Sequence, residues 1–456
     1  MKRVLVVAYY FPPMGMGGVQ RALKFARYLP EFGWEPVVLT VRETAYYAHD
    51  PTLLDEIPDV RILRTESLDP LRVFRGIRPG RQNVPVLRDR GASRFVRFIS
   101  SLNEKLIPWL LVPDSKLLWL PFALRAARRL CRTERIDAVF TTSPPHSAHL
   151  IGHRLRSRCN IPWIADFRDD WTAESCERLP TPLHRAVDER LARTVLRNAD
   201  RILAVSPRIA RSLSERRGAP GGTVTTLYNG FDANDFATVP DPSRKKFTIA
   251  YAGTLNALCD PEPFFAGVRE LFDHHPRLRS RIQIRLAGSA YGIDLGSLLG
   301  RYGLEETVHE TGYVTHRESV RFLMQADLLL LILSPGSGGG MVTGKIFEYL
   351  ASGKPVLAVV PESEAGRLIR KHRAGRVVHP GDTRGIAEGV LFYYRLWESG
   401  RTVPPGIDRS ELKSYERREQ TRILAGMLDE VSHVGESSNP FRRGNRQPPE
   451  GGGVTG

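Results

Sequence analysis

The chain reads as an α/β protein of two tandem Rossmann-like domains facing across a cleft, with a C-terminal helix that crosses back to the first domain. Three observations predict this. Apolar strand-like runs alternate with helical patterns in one series starting at residue 2, and again in a second starting at residue 247. Between the two series stand Asn229-Gly230-Phe231-Asp232 and a polar linker to Lys246. At 456 residues, 41% of them hydrophobic, the chain is long enough to bury two cores.

In the first series the strand candidates are residues 2–10, 35–40, 137–142, 163–167 and 201–205, with helical stretches at 19–29, 147–156 and 182–198 between them. Strands separated by helices are βαβ units, and these build a doubly wound parallel sheet. The second series offers strands at 247–252, 282–287, 308–312, 327–333, 356–360 and 376–379. The predicted domains are 1–232 and 246–405, followed by a crossover helix within 406–432, after Pro404-Pro405. Residues 433–456 are polar and rich in Gly, Pro and Arg, so disorder is expected there. Ligands of such sheets bind at the carboxyl ends of strands, which puts the expected site between the domains.

Four cysteines, Cys131, Cys159, Cys176 and Cys259, show no CxxC spacing, which fits a reducing cytoplasm. Met1-Lys2-Arg3 and the apolar run after it resemble a signal sequence only superficially. The run is short and passes into Tyr9-Tyr10-Phe11-Pro12-Pro13, so it reads as a buried first strand. No apolar run has the length of a membrane span. The net charge is +16, and residues 61–135 hold 17 Lys/Arg against six Asp/Glu, interleaved with Phe95, Phe98, Trp109, Leu110, Trp119 and other apolar residues. Basic residues with tryptophans and aliphatics suit the headgroup region of an anionic membrane. Nucleic acid ranks behind, because no helix-turn-helix, zinc-finger or RNP-like pattern is present. A generally arginine-rich chain is the plainer account. His146, His149 and His153 share one face of a predicted helix, but with no carboxylate or cysteine at ligand spacing they read as a partly exposed structural face.

The segment from Gly336 to Pro355 carries the most chemistry. A buried-strand run, 326–333, leads into Gly336-Ser337-Gly338-Gly339-Gly340, then a short helical pattern, then a second strand. Glycines between a strand and a helix leave N–H groups uncovered at the helix's positive end, where a phosphate can be held. On a helix over 343–352, Ile346, Phe347, Leu350 and Ala351 form a buried stripe, and Lys345, Glu348 and Ser352 fall opposite. A cation at the phosphate end and a carboxylate one turn later suit a nucleotide diphosphate and its ribose. The same two residues also read as an ordinary Lys–Glu pair on a solvated face. Gly339-x4-Gly344-Lys345 falls one residue short of a Walker A loop, since Ile346 stands where a Mg²⁺-holding Ser or Thr is needed.

Four segments together resemble the retaining glycosyltransferases of family four, with the GT-B fold. Tyr9-Tyr10-Phe11-Pro12-Pro13, followed by Gly15, Gly17, Gly18, Val19 and Gln20, looks like the family's first loop, close to donor and acceptor. Tyr251-Ala252-Gly253-Thr254-Leu255 looks like the strand-loop that approaches the diphosphate. Gly312-Tyr313-Val314 resembles the strand end beside the base. Thr343-Gly344-Lys345-Ile346-Phe347-Glu348 and the residues up to Val356 match the segment whose glutamate holds the ribose. The chain departs from the family pattern at three places. Gly340 stands where an earlier glutamate is common, Arg168 replaces a histidine in Ile164-Ala165-Asp166-Phe167-Arg168-Asp169-Asp170-Trp171, and residues 256–260 lack the usual base.

The resemblance implies transfer of a hexosyl group from a nucleotide-diphosphate-sugar to an acceptor hydroxyl, with retention, needing no metal or other cofactor. Donor-binding residues would be Gly17, Gly18, Gly253, Thr254, Tyr313, Val314, Thr343, Gly344, Lys345 and Glu348. Asp166, Arg168 and Asp169 are the catalytic candidates at a strand's carboxyl end, and they read equally well as an Arg–Asp lock that fixes the loop. With the basic window docked on a bilayer, the expected acceptor is a lipid-linked saccharide, the expected process cell-surface polysaccharide synthesis and the expected place the cytoplasmic membrane face. Two rivals remain open: a nucleotide-sugar epimerase of the same fold, and a non-catalytic protein binding a nucleotide sugar or polyanion.

Overall fold

The computed structural model describes residues 1–42, 48–68, 109–171, 179–218, 224–237, 245–337, 342–401 and 406–437. Much of the basic window, residues 69–108, and the tail from 438 lie outside the described residues. The first sheet contains β1 (Lys2–Val7), β2 (Trp34–Val41), β3 (Arg61–Thr65), β4 (Ala138–Ser143), β5 (Trp163–Phe167), β6 (Arg201–Ala204) and β7 (Val224–Thr226). All pair in parallel, in the order β3-β2-β1-β4-β5-β6-β7. The second sheet contains β8 (Phe247–Ala252), β9 (Ile282–Ala287), β10 (Val308–Gly312), β11 (Leu328–Ile332), β12 (Val356–Val359) and β13 (Gly375–Val378), in the order β10-β9-β8-β11-β12-β13 and again parallel.

Both faces of each sheet are covered, which explains why the central strands are continuous apolar runs rather than alternating ones. Leu5, Val7, Leu39 and Val139 point into one core of the first sheet, and Val4, Val6, Val38 and Phe140 into the other. In the second, Ile249, Tyr251, Leu328 and Leu330 face one side, and Ala250, Leu329 and Leu331 the other. The strand order reverses between β1 and β4 and between β8 and β11, and the loops at these switch points open at the carboxyl ends. Edge strands β3 and β7 were not foreseen. They are short and only half-buried, so their sequences carry no apolar run.

Three helices position the site: α1 (Gln20–Tyr28) after β1, α2 (His316–Met324) after β10 and α3 (Lys345–Ser352) after β11. A fourth, α4 (Arg417–Ser437), is the crossover helix. Its Leu424, Ala425, Leu428 and Val431 are buried in the core that holds Val4, Val6, Phe25 and Phe140. Lys2 Nζ meets Asp429 at 2.8 Å on its outer side. The last helix therefore completes the first domain rather than the second. Where the chain crosses back, Phe231 N donates to Tyr415 O at 3.0 Å and Arg417 N to Phe231 O at 2.8 Å.

Candidate functional site

One wall of the cleft lies in the second domain. Beyond β8 the chain turns at Gly253, whose φ is 137°, and crosses Gly288, whose φ is 133°. Lys345, the first residue of α3, lays its side chain over this turn, and a Cβ at Gly253 would collide with it. The ammonium donates to Tyr251 Oη at 2.8 Å and sits 4.3 Å from that ring's centroid. No ion pair to Lys345 is formed among the described residues. Burial pushes its pKa down, with Cys259 and Glu348 opposing. Nearby, the Thr343 hydroxyl is buried without a hydrogen-bond partner among the described residues. The loop thus offers a cation, a free hydroxyl and the start of a helix to an anion. Ile346, Phe347 and Leu350 are buried beneath, as their spacing implied. Ser352 departs from that expectation: it is buried, because its hydroxyl donates to Tyr349 O at 2.7 Å.

Glu348 stands one turn along α3, 4.0 Å from His316 Nδ1. His316 begins α2, and its Nε2 contacts Asp235 Oδ2 at 3.0 Å. Burial opposes charge on His316, but the Asp235 hydrogen bond and Glu348 outweigh it and raise the pKa. Burial in turn raises the Glu348 carboxyl, against the pull of His316. Asp235 belongs to a knot that includes Lys24 of α1, whose ammonium is 2.7 Å from Asp232, 2.8 Å from Glu56 and 3.3 Å from Asp235. His316 N donates to Asp50 Oδ2 at 2.9 Å, and Tyr313 Oη to Gly15 O at 2.9 Å. First-domain residues therefore grip the loop after β10. Val314 packs beside them against the core holding Ile346 and Phe347.

The opposite wall is the carboxyl end of β4 and β5. Asp166 is fully buried and receives Arg21 Nη2 at 2.7 Å, Arg21 Nε at 3.0 Å and the Thr142 hydroxyl at 2.7 Å. Its partner is Arg21 of α1 rather than Arg168, and its oxygens are consumed inside the domain. Arg168 donates instead to three carbonyls: Ser143 at 2.7 Å, Pro144 at 3.2 Å, and Gly18. It thereby fastens the Gly17–Gly18 turn, both of whose glycines are exposed, to the β4 and β5 loops. Asp169 is exposed, yet the surrounding walls raise its carboxyl, with Arg168 opposing. Thr254 contributes its carbonyl to Tyr251 Oη at 3.0 Å, which bends the β8 loop.

Of the three histidines, His146 and His153 are part-buried, as expected, and His149 is not exposed at all. His149 is fully buried against Phe167, and His146 stacks on Trp171 with centroids 4.7 Å apart. Burial holds His146 down to about 4, so the stack is neutral. Among the described residues no group of His, Cys, Asp and Glu has the arrangement of a metal site.

Sequence reasoning brought Lys345, Glu348, Gly253 and Tyr313 to one cleft. It missed Arg21, His316, Asp235 and Asp50. Of these only His316 had a local signal, since Thr315 and Glu318 form a capping box that fixes where α2 begins.

Residues 16–230 match the family described as Glycosyl transferase 4-like domain, and residues 248–395 that described as Glycosyl transferases group 1. Among curated proteins, D-inositol 3-phosphate glycosyltransferase of Streptomyces bingchenggensis (strain BCW-1) is 22% identical over 271 residues, covering 52% of this chain and 58% of that protein. The putative colanic acid biosynthesis glycosyltransferase WcaL of Escherichia coli (strain K12) is 24% identical over 242 residues, covering 51% and 57%. The chain spans less than two thirds of the length of these relatives. Among solved structures, Anabaena Alr3699/HepE in complex with UDP-glucose aligns with a TM-score of 0.55 and 14% identity, over 96% of this chain and 99% of that one. The α,α-trehalose 6-phosphate synthase of Burkholderia multivorans aligns at 0.61 and 11% identity, over 98% and 100%. At these identities the structures show a shared fold.

Proposed function

The chain belongs to the glycosyltransferases of the GT-B fold, and from that premise we propose that it moves a hexosyl group from a nucleoside-diphosphate sugar to a hydroxyl of a lipid-linked saccharide, with retention. The observation that carries this reading is Lys345 on its glycine turn, with no anion partner among the described residues, and Glu348 one turn beyond. Lys345, the Thr343 hydroxyl and the N–H groups around Gly344 and Gly253 would hold the diphosphate, and Glu348 the ribose hydroxyls. As the bond from the anomeric carbon to the β-phosphate oxygen breaks, its electron pair stays on the diphosphate, and these groups stabilise the growing charge. The acceptor oxygen bonds to the same face of that carbon, and its proton passes to the departing phosphate. The cations in this scheme belong to the chain itself, so turnover should continue in EDTA.

The wall at Arg168, Asp169 and the Gly17–Gly18 turn is the proposed acceptor side. An exposed apolar patch supports the lipid-linked reading. Trp109, Leu110, Leu183 and Val187 are 53%, 75%, 72% and 42% exposed. His184 contacts the Trp109 carbonyl at 3.0 Å, and Arg185, Arg190 and Arg193 are exposed beside it. No described helix is long and apolar enough to cross a membrane, and we propose that this patch rests on an anionic bilayer at the cytoplasmic face. The name of WcaL supports a place in cell-surface polysaccharide synthesis.

The deciding experiment is thermal unfolding against UDP-, GDP- and ADP-sugars, with ATP and GTP plus Mg²⁺ alongside. A rise in Tm with one nucleotide sugar supports the reading and names the donor. A rise with ATP or GTP and Mg²⁺ alone would sink it. Flotation with phosphatidylglycerol vesicles checks the membrane arm separately.

A further inference from the structure

Deepening the donor site proposed above, and resting on it, we infer that Arg417 is a second cationic ligand of the donor diphosphate, delivered to the cleft by the crossover helix. Arg417 is 3% exposed, and among the described residues its guanidinium makes one hydrogen bond, from Nη1 to Gln420 Oε1 at 3.2 Å. A guanidinium has five N–H donors, and a buried one ordinarily faces a carboxylate that uses several of them. Among the described residues neither carboxylate near it is hydrogen-bonded to it. Asp166 is filled by Arg21 and Thr142, and Glu348 faces His316.

Charges from both walls act on the side chain. Its electrostatic neighbours are Arg21, Asp166 and Arg168 of the first domain and Glu348 of the second. Burial and the two arginines work against its charge, which is the condition an incoming anion relieves. Gln420 fixes the approach, because its Nε2 donates to Tyr228 O at 2.9 Å and Asn229 O at 3.2 Å. Asn229 in turn donates to Val342 O at 3.3 Å, which ties this crossing to the loop that carries Thr343 and Lys345. That loop supplies the independent sign of a ligand: the Thr343 hydroxyl, buried and unpartnered among the described residues. The demand is also clear. A diphosphate brings about two negative charges, Lys345 offers one positive charge, and residues 256–260 contain no base.

The test is isothermal calorimetry on full-length wild type, Arg417→Gln and Arg417→Lys, with UDP against uridine and the GDP/guanosine and ADP/adenosine pairs in parallel. Arg417→Gln should weaken the diphosphate that binds wild type about tenfold or more, while its nucleoside changes less than about twofold. Arg417→Lys keeps the charge without the fork and should recover part of the loss. If Arg417→Gln does not fold, the same comparison is read on Arg417→Lys, with a loss of about threefold or more expected on the diphosphate alone. Unchanged diphosphate affinity, or parallel losses on diphosphate and nucleoside, would overturn the inference and leave the donor site standing. A wild type that binds no nucleoside diphosphate would overturn both.

Discussion

Lys345 lies across Gly253, and the absence of a side chain at Gly253 is what lets its ammonium reach Tyr251. Lys345 and Tyr251, 94 residues apart in the chain, are thus brought together by a single missing Cβ. Gly253→Ala should both strain the backbone, at φ 137°, and displace Lys345. We expect a stability loss of about 1–3 kcal/mol and a fall of at least about tenfold in nucleotide affinity. Urea unfolding and calorimetry read the two separately, and wild-type affinity in the alanine variant would refute the fit.

His316 stands between Asp235 and Glu348, and this gives a pH dependence of known sign. Asp235, Glu348 and Lys24 are the charged groups that face it. A histidine with a raised folded pKa adds stability that is full below its unfolded value, about 6.5. The contribution is lost as pH rises through the folded value. Asp235 is depressed, burial opposing the His316 and Lys24 contacts that lower it, so its share persists until the medium turns well acidic. The stability gap between wild type and His316→Asn, read by urea unfolding, should be widest below about pH 6.5 and narrow as the pH rises through the raised folded value. It should amount to roughly 1.5–3 kcal/mol at its widest. A gap independent of pH would mean that His316 acts by packing alone.

Glu348→Ala separates ribose recognition from phosphate recognition. The variant should lose about tenfold or more in affinity for a ribonucleotide, one or two charge-assisted hydrogen bonds being removed. It should also lose the wild type's preference for ribo- over 2′,3′-dideoxyribonucleotides. Retained preference would show that the carboxylate serves His316 only.

Asp166 and Arg168 should fail in different ways. Asp166→Ala leaves Arg21 buried and unpaired, which costs about 3–5 kcal/mol of stability. Arg168→Met frees the Gly18 carbonyl and the loops after β4 and β5 at the edge of the cleft. Its stability should fall by less than about 2 kcal/mol, while kcat falls at least about tenfold. Equal stability losses in the two variants would remove the distinction.

The tandem sheets and the shared face of Lys345 and Glu348 were legible because both rest on local periodicity. The turn after β8 offers no such help: nothing in the residues around Gly253 announces that its spatial neighbour is residue 345. Arg21 is the plainest case. An arginine inside an amphipathic helix looks solvated, and its bond to Asp166 spans 145 residues. The sequence pointed instead to Arg168, two positions away, whose donors went to carbonyls. Among the histidines at 146, 149 and 153, the full burial of His149 was missed for the opposite reason. Helical spacing put them on one face, while the rings that bury His149 arrive from β5, at Phe167, and from the loop after it, at Trp171.

The crossing beside Phe231 has a mechanical meaning. Chain leaving the first domain and chain returning to it are laced together there by paired backbone hydrogen bonds, at 3.0 and 2.8 Å. The segment that leaves the first domain and the segment that returns to it are therefore coupled at this point, and neither can shift without carrying the other or breaking both bonds.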